Sequence, residues 1–189
     1  LALSGDLMGP SLEGLDSLVR LPSGCGEQNM ILMAPNVYII NYLTAKRDMR
    51  SDLRDRALRF IQTGYSRELQ YRHPDGSFSA FGESDDSGST WLTAFVLKVF
   101  SQAHAAELIQ VDSLIASEAA MWLLSHQTKD GSFANIGRVI HSDMMGGNGD
   151  DPKSGDLGLT AFVTTALLEA RSAGLSGGMQ DEALQAGLA

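Results

Sequence analysis

A short internal repeat constrains the fold of this 189-residue chain more than any other feature. The residues Asp-Gly-Ser-Phe occur at 75–78 and again at 130–133, and Leu-Thr-Ala-Phe-Val follows them at 92–96 and 159–163. Each unit therefore consists of a tight turn, a variable loop and the start of an apolar helix. A turn at a fixed point before a buried helix is what stacked helical hairpins require. The repeat predicts an all-α chain of such hairpins.

Apolar periodicity places helices throughout the chain, whereas no sustained period-two alternation indicates a strand. Pro35 is expected to kink or restart the helix that contains it. Asp112 is expected to cap one helix, and Gly174 to end another. The predicted helices span Gln28–Thr44, Ser51–Leu69, Ser89–Ala105, Asp112–His126 and Leu157–Ala173.

The string Gln-x-x-Asp-Gly-Ser-Phe over residues 127–133 resembles the turn motif of alpha/alpha-toroid proteins, which include the terpenoid cyclases. Together with the repeat, it predicts an all-α fold of the alpha/alpha-toroid type. Phe78, Phe133, Trp91 and Trp122 are expected to lie in the core of this fold.

Composition disfavours several classes of function. The net charge of −9 argues against nucleic acid or anionic membranes as partners, and no apolar run reaches the roughly 18 residues of a membrane span. The single cysteine, Cys25, excludes an internal disulfide and the usual multi-thiolate zinc site. The carboxylates within 146–151 lack the spacing of an EF-hand loop, so we expect neither a metal nor a cofactor. The start at Leu1 suggests a mature fragment or an excised domain.

The stretch over residues 22–30, Pro-Ser-Gly-Cys-Gly-Glu-Gln-Asn-Met, surrounds that cysteine. Joining the Cys25 sulfur to the side-chain carbonyl of Gln28 would release ammonia and close a small ring, which forces the backbone into a tight turn. Gly24 and Gly26 accept unusual dihedral angles because they lack a Cβ. The product would be an acyl group on a good leaving sulfur. The alternative, a buried inert thiol, fits poorly because two glycines and two polar side chains make a poor core sequence.

This stretch resembles the GCGEQ motif of the thioester proteins, which comprise complement components, alpha-macroglobulins, and insect and cell-surface thioester-containing proteins. Residues 25–36 look like the motif-bearing helix of that family, and 91–96 and 138–142 look like further signatures. The last of these, Arg-Val-Ile-His-Ser, is most similar to cell-surface and invertebrate members. Glu27 lies inside the motif, where it either tunes reactivity or faces solvent.

The resemblance also implies a role for His141. Its imidazole would attack the Gln28 acyl carbon and free the Cys25 thiolate, which then acts as general base for a hydroxyl that takes the acyl group as an ester. Family members with Asn at this position prefer amines, so we expect hydroxyl acceptors, with sugars foremost. The alternative is a histidine in a surface loop or in the core, without a role in the chemistry. The predicted site consists of Cys25, Gln28 and His141, with Gly24, Gly26 and Glu27 completing the motif.

Two functions compete. One is covalent tagging of target surfaces by a complement-like module of innate immunity, and the other is a protease-trapping inhibitor of the alpha-macroglobulin type. His141 favours the first. A turnover enzyme is rejected, because an internal thioester is consumed once and no DDTA-like acidic motif of toroid cyclases is present.

The resemblance implies an extracellular protein, secreted or anchored at a cell surface. Its partners would be hydroxyl-bearing glycan surfaces or attacking proteases, an activating protease, and neighbouring domains of the parent chain that shield the thioester. We assign residues 1–20 to a segment that leads into the domain and residues 21–189 to the thioester domain. Because complete domains of this family are longer, the toroid is expected to be incomplete at its C-terminal end.

Overall fold

A computed structural model describes residues 14–47, 51–141 and 152–175. Within these ranges the fold has six α-helices, two short 3-10 helices (Leu69–Tyr71 and Gly82–Ser84) and no β-strand beyond two isolated bridges. The all-α prediction is confirmed, whereas closure into a toroid stays a prediction. The α-helices are α1 (Leu15–Leu18), α2 (Gly26–Lys46), α3 (Ser51–Glu68), α4 (Thr90–Ala105), α5 (Ser113–Ser125) and α6 (Pro152–Ser172).

Helix α4 lies at the centre of the packing. It contacts α2, α5 and α6, while α2 also packs along α3. Phe100 of α4 is buried, and its ring lies 4.8 Å from that of Tyr65 and 6.4 Å from that of Phe78, measured between centroids. Each large apolar side chain buried in this way contributes about 1.5–3 kcal/mol. All four aromatic residues expected in the core are buried: Phe78, Phe133, Trp91 and Trp122.

The two Asp-Gly-Ser-Phe units form the same turn. In each, the Asp carboxylate accepts a hydrogen bond from the Ser backbone N–H, at 3.0 Å in the first unit and 3.2 Å in the second. The Phe backbone N–H then donates to a threonine hydroxyl, from Phe78 to Thr93 at 2.9 Å and from Phe133 to Thr160 at 3.2 Å. Both threonines occupy the same position of the Leu-Thr-Ala-Phe-Val repeat. The sequence repeat is therefore a structural repeat in which each turn is tied to the helix that follows it.

Local signals at the helix ends are mostly confirmed. Asp112 caps α5 by accepting the Leu114 N–H at 2.9 Å, and Gly174 follows the end of α6 with a φ of +74°. Pro35 lies inside α2, which continues through it, so the helix does not restart there. Pro35 removes only one hydrogen bond from a helix whose neighbouring residues Asn36 and Val37 are buried.

None of the helices in the described ranges is both long and apolar enough to cross a membrane. The loop over 146–151, whose carboxylates lack the spacing of an EF-hand loop, lies outside the described residues.

Candidate functional site

The predicted thioester residues lie at the N-terminus of α2. Cys25 is the N-cap residue, with extended backbone at φ −72° and ψ 175°, and Gln28 is the third residue of the helix. The Gln28 side chain turns back, so that its Oε1 accepts the Cys25 backbone N–H at 3.2 Å. The Cys25 sulfur reciprocally faces the backbone N–H of Gln28, which is the arrangement of a capping box. The first helical turn thus brings the Gln28 carboxamide back to Cys25.

Gly24 allows this return of the Gln28 side chain. Its φ is +81°, and a Cβ at this position would lie 2.1 Å from Gln28 Oε1. Its carbonyl oxygen is held from the other side by Tyr71, whose hydroxyl donates at 2.6 Å, and by Arg67 Nη2 at 3.0 Å. The turn is therefore fixed by α3 and the 3-10 helix after it, and the space above Gly24 is filled by the glutamine.

Gly26 is required for a different reason, because a neighbouring loop passes close to it. Its N–H donates to the Ala80 carbonyl at 2.9 Å. A Cβ on Gly26 would lie 2.8 Å from the Ser79 carbonyl oxygen and 3.2 Å from Glu68 Oε1. Gly24 therefore leaves room for the Gln28 side chain, and Gly26 leaves room for the loop that contains Ser79.

A buried pair of polar side chains, Asn29 and Glu68, lies at the first turn of α2. Asn29 Nδ2 donates to Glu68 Oε2 and to the Gly64 carbonyl, both at 2.8 Å, and Asn29 and Glu68 are fully buried. Burial raises the pKa of Glu68 well above its usual range, although the hydrogen bond from Asn29 and the charge of Arg67 oppose the shift. Glu68 Oε1 has no hydrogen-bond partner. The sequence did not predict this buried pair, because Glu68 lies in an amphipathic helix with many charged residues, where a buried glutamate is not distinguished from exposed ones.

Glu27 joins the motif to the loop that carries His141. Its carboxylate is fully buried and accepts the Ile140 N–H at 2.8 Å and the His141 N–H at 3.0 Å. The same oxygen that accepts the His141 N–H lies 2.8 Å from the ring Nδ1 of His141. The sequence left two alternatives for Glu27, tuning of reactivity or a side chain that faces solvent. The second is wrong, because the side chain is 0% exposed.

The predicted site residues are reachable from solvent in this chain. Cys25 is half-buried, Gln28 is exposed, and the His141 side chain is 37% exposed. A cavity of about 270 Å³ lies beside Ile140, with Phe81 and Arg138 among its lining residues.

Comparison with known proteins identifies the family of this chain. The family model described as the A-macroglobulin TED domain matches residues 1–187. The chain belongs to this family. Ovostatin of Gallus gallus is 40% identical over 166 residues, which cover 88% of this chain and 11% of that relative. The TED domain thus spans about a tenth of the length of the curated relative it matches.

The other histidines of this TED domain lie in structural positions. His73 is buried and pairs with the Ser79 hydroxyl at 2.7 Å, and His104 Nδ1 accepts the Val111 N–H at 3.2 Å. His126 Nδ1 lies 2.8 Å from the Trp122 carbonyl oxygen. Across the part of the chain that the structure describes, no three His, Cys, Asp or Glu residues are grouped so as to hold a metal.

Proposed function

We propose that this TED domain forms an internal thioester between Cys25 and Gln28 and transfers the Gln28 acyl group to hydroxyl groups on target surfaces. The contact between Glu27 and His141 carries this proposal. Glu27 lies between the two thioester residues in sequence, and it binds the backbone and ring of His141. A histidine distant in sequence is thereby held at the thioester motif.

The proposed transfer proceeds in two steps. In the first, a ring nitrogen of His141 attacks the Gln28 acyl carbon, the carbon–sulfur bond breaks, and the Cys25 thiolate leaves with the electron pair. In the second, the thiolate takes the proton of an acceptor hydroxyl, whose oxygen attacks the acyl carbon and displaces the imidazole. The products are an ester of Gln28, the Cys25 thiol and free imidazole. Because the thioester is spent, the module acts once and is not a turnover enzyme.

A histidine at position 141 predicts that the acyl acceptor is a hydroxyl group. An imidazole intermediate is needed for weakly nucleophilic hydroxyls, whereas amines attack a thioester directly. We therefore expect ester links to glycans. The cavity beside Ile140 supports this choice, since Asp85, Asp86 and Arg138 along its lining offer hydrogen-bond partners to a polyhydroxylated molecule.

The biological setting we propose is an extracellular, complement-like protein of innate immunity, secreted or anchored at a cell surface. Neighbouring domains of the parent chain would shield the thioester from water until an activating protease exposes it. A protease-trapping inhibitor of the alpha-macroglobulin type is the second candidate, favoured by membership of the A-macroglobulin family. In that case the captured partner would be the attacking protease itself.

The proposal is tested with His141→Asn in the full parent protein. After proteolytic activation, incorporation of labelled glycerol and labelled methylamine is compared with wild type, and His126→Asn serves as a control histidine outside the site. The proposal predicts a shift from glycerol to methylamine for His141→Asn and no shift for the control. If the ratio of the two acceptors is unchanged in His141→Asn, transfer through the imidazole is excluded.

A further inference from the structure

We propose that Glu27 is a positioning residue for hydroxyl transfer: its buried carboxylate holds the His141 ring with the proton on Nδ1 and leaves Nε2 free to attack the Gln28 acyl carbon. This inference rests on the proposed function, and it gives Glu27 a chemical role rather than one in folding alone.

The hydrogen-bond pattern sets the tautomer. An ionised carboxylate only accepts hydrogen bonds. Glu27 Oε2 lies 2.8 Å from Nδ1 of His141, so a neutral ring that bonds to it carries its proton on Nδ1. Nε2 then keeps its lone pair, which is what attack on an acyl carbon requires. A carboxylate that fixes a histidine tautomer by this means is a recurring device in nucleophilic catalysis.

The two backbone contacts fix where the ring is placed. Glu27 accepts the N–H groups of Ile140 and His141 at 2.8 Å and 3.0 Å. These bonds tie both the main chain and the ring of His141 to the second residue of α2, one residue before Gln28. The carboxylate therefore fixes the position of the loop as well as the direction of the imidazole.

The carboxylate also matches the charge that develops during the reaction. When Nε2 attacks with a proton on Nδ1, the ring becomes an acyl-imidazolium with a positive charge. Glu27 is already in hydrogen-bond contact with that ring and is 0% exposed, so its charge is poorly screened by water. It can stabilise the cation before the hydroxyl displaces the imidazole. A neutral amide at this position would lack that charge and could not accept all three hydrogen bonds.

Glu27→Gln is the matched substitution, because the amide keeps the size of the side chain. In the activated parent protein we expect glycerol ester formation to fall at least about tenfold, the low end of what is lost when the partner that orients an imidazole is replaced. Methylamine should still cleave the thioester at close to the wild-type rate, since amine attack does not use the ring. Glu83→Gln, at an exposed position, removes the same charge and should leave both reactions unchanged.

A double-mutant cycle separates positioning from folding. In the His141→Asn background the ring is absent while the backbone contacts of Glu27 remain available. Glu27→Gln should therefore cause no further loss of glycerol transfer in that background. An equal loss in both backgrounds, or unchanged glycerol transfer in the single variant, would overturn the inference. If instead His141→Asn alone leaves acceptor preference unchanged, the proposed function itself fails.

A second measurement applies should Glu27→Gln prevent thioester formation. Nitrogen-15 chemical shifts of labelled histidine in the methylamine-treated wild-type parent report the His141 tautomer, assigned by the signal lost in His141→Asn. The Nδ1–H tautomer is expected. An Nε2–H tautomer would refute the positioning role.

Discussion

Gly24→Ala tests the geometry of the thioester turn most sharply, because two independent effects act at one position. The residue has a φ of +81°, where a Cβ is strained, and the added methyl would lie 2.1 Å from Gln28 Oε1. The glutamine side chain must therefore move away from the Cys25 N–H to which it is bonded. The substitution should remove the alignment that precedes thioester formation.

The magnitude follows from these two effects. A residue with a Cβ in the left-handed region costs about 1–2 kcal/mol. Loss of the hydrogen bond between Gln28 and Cys25 adds about 1 kcal/mol. Together they disfavour the aligned turn by roughly 2–3 kcal/mol, or about 30- to 150-fold in population at about 1.4 kcal/mol per tenfold change.

Gly174→Ala separates strain from clash. Gly174 has a similar φ of +74°, but a Cβ there would meet nothing within 4 Å. The assay is titration of free thiol together with intact mass of the full parent protein. We expect Gly24→Ala to leave most molecules with a free Cys25 thiol, whereas Gly174→Ala should form the thioester and lose only the stability due to backbone strain. A Gly24→Ala protein with no free thiol would refute this account of the turn.

Two further predictions concern the support of the site and the repeat. Burial raises the pKa of Glu68, so the Glu68 carboxyl loses its proton at a lower pH in the unfolded state than in the folded state. The folded state therefore loses stability as pH rises from the pKa of the unfolded state toward that of the folded state. In urea unfolding, the free energy of unfolding of Glu68→Gln should therefore match that of wild type near pH 4 and exceed it increasingly toward pH 7. A difference between the two proteins that narrows as pH rises would contradict this. Thr93→Val leaves the buried Phe78 N–H without its acceptor and should destabilise the chain by about 1–3 kcal/mol in the same assay. The exposed Thr165→Val serves as its control, and equal losses in the two variants would argue against the tie between turn and helix.

The sequence predicted the helices well because their signals are local. Predicted and observed ends of α2 to α5 agree within two residues, since apolar periodicity and caps such as Asp112 act over a single turn. Helix α6 begins at Pro152, five residues before the predicted start at Leu157. Proline suits the first position of a helix, but the glycines that follow it concealed the periodic pattern.

The candidate site was only partly predictable, because its supporting contacts join distant segments. The Cys25–Gln28 spacing is readable since one helical turn brings the two side chains together. The contact of Glu27 with His141 depends on how α2 packs against the loop between α5 and α6. The contact of Glu68 with Gly26 depends on how α2 packs against α3. No periodicity marks a glutamate that is buried by residues from another part of the chain.

The most direct test of the central claim is the intact mass and free-thiol content of the full parent protein, before and after methylamine. A thioester between Cys25 and Gln28 predicts no free thiol at first, a mass one ammonia below that of the sequence, and release of the Cys25 thiol on treatment. A free Cys25 thiol and the full sequence mass in untreated, carefully prepared protein would contradict it, and covalent transfer from Gln28 would then have to be abandoned.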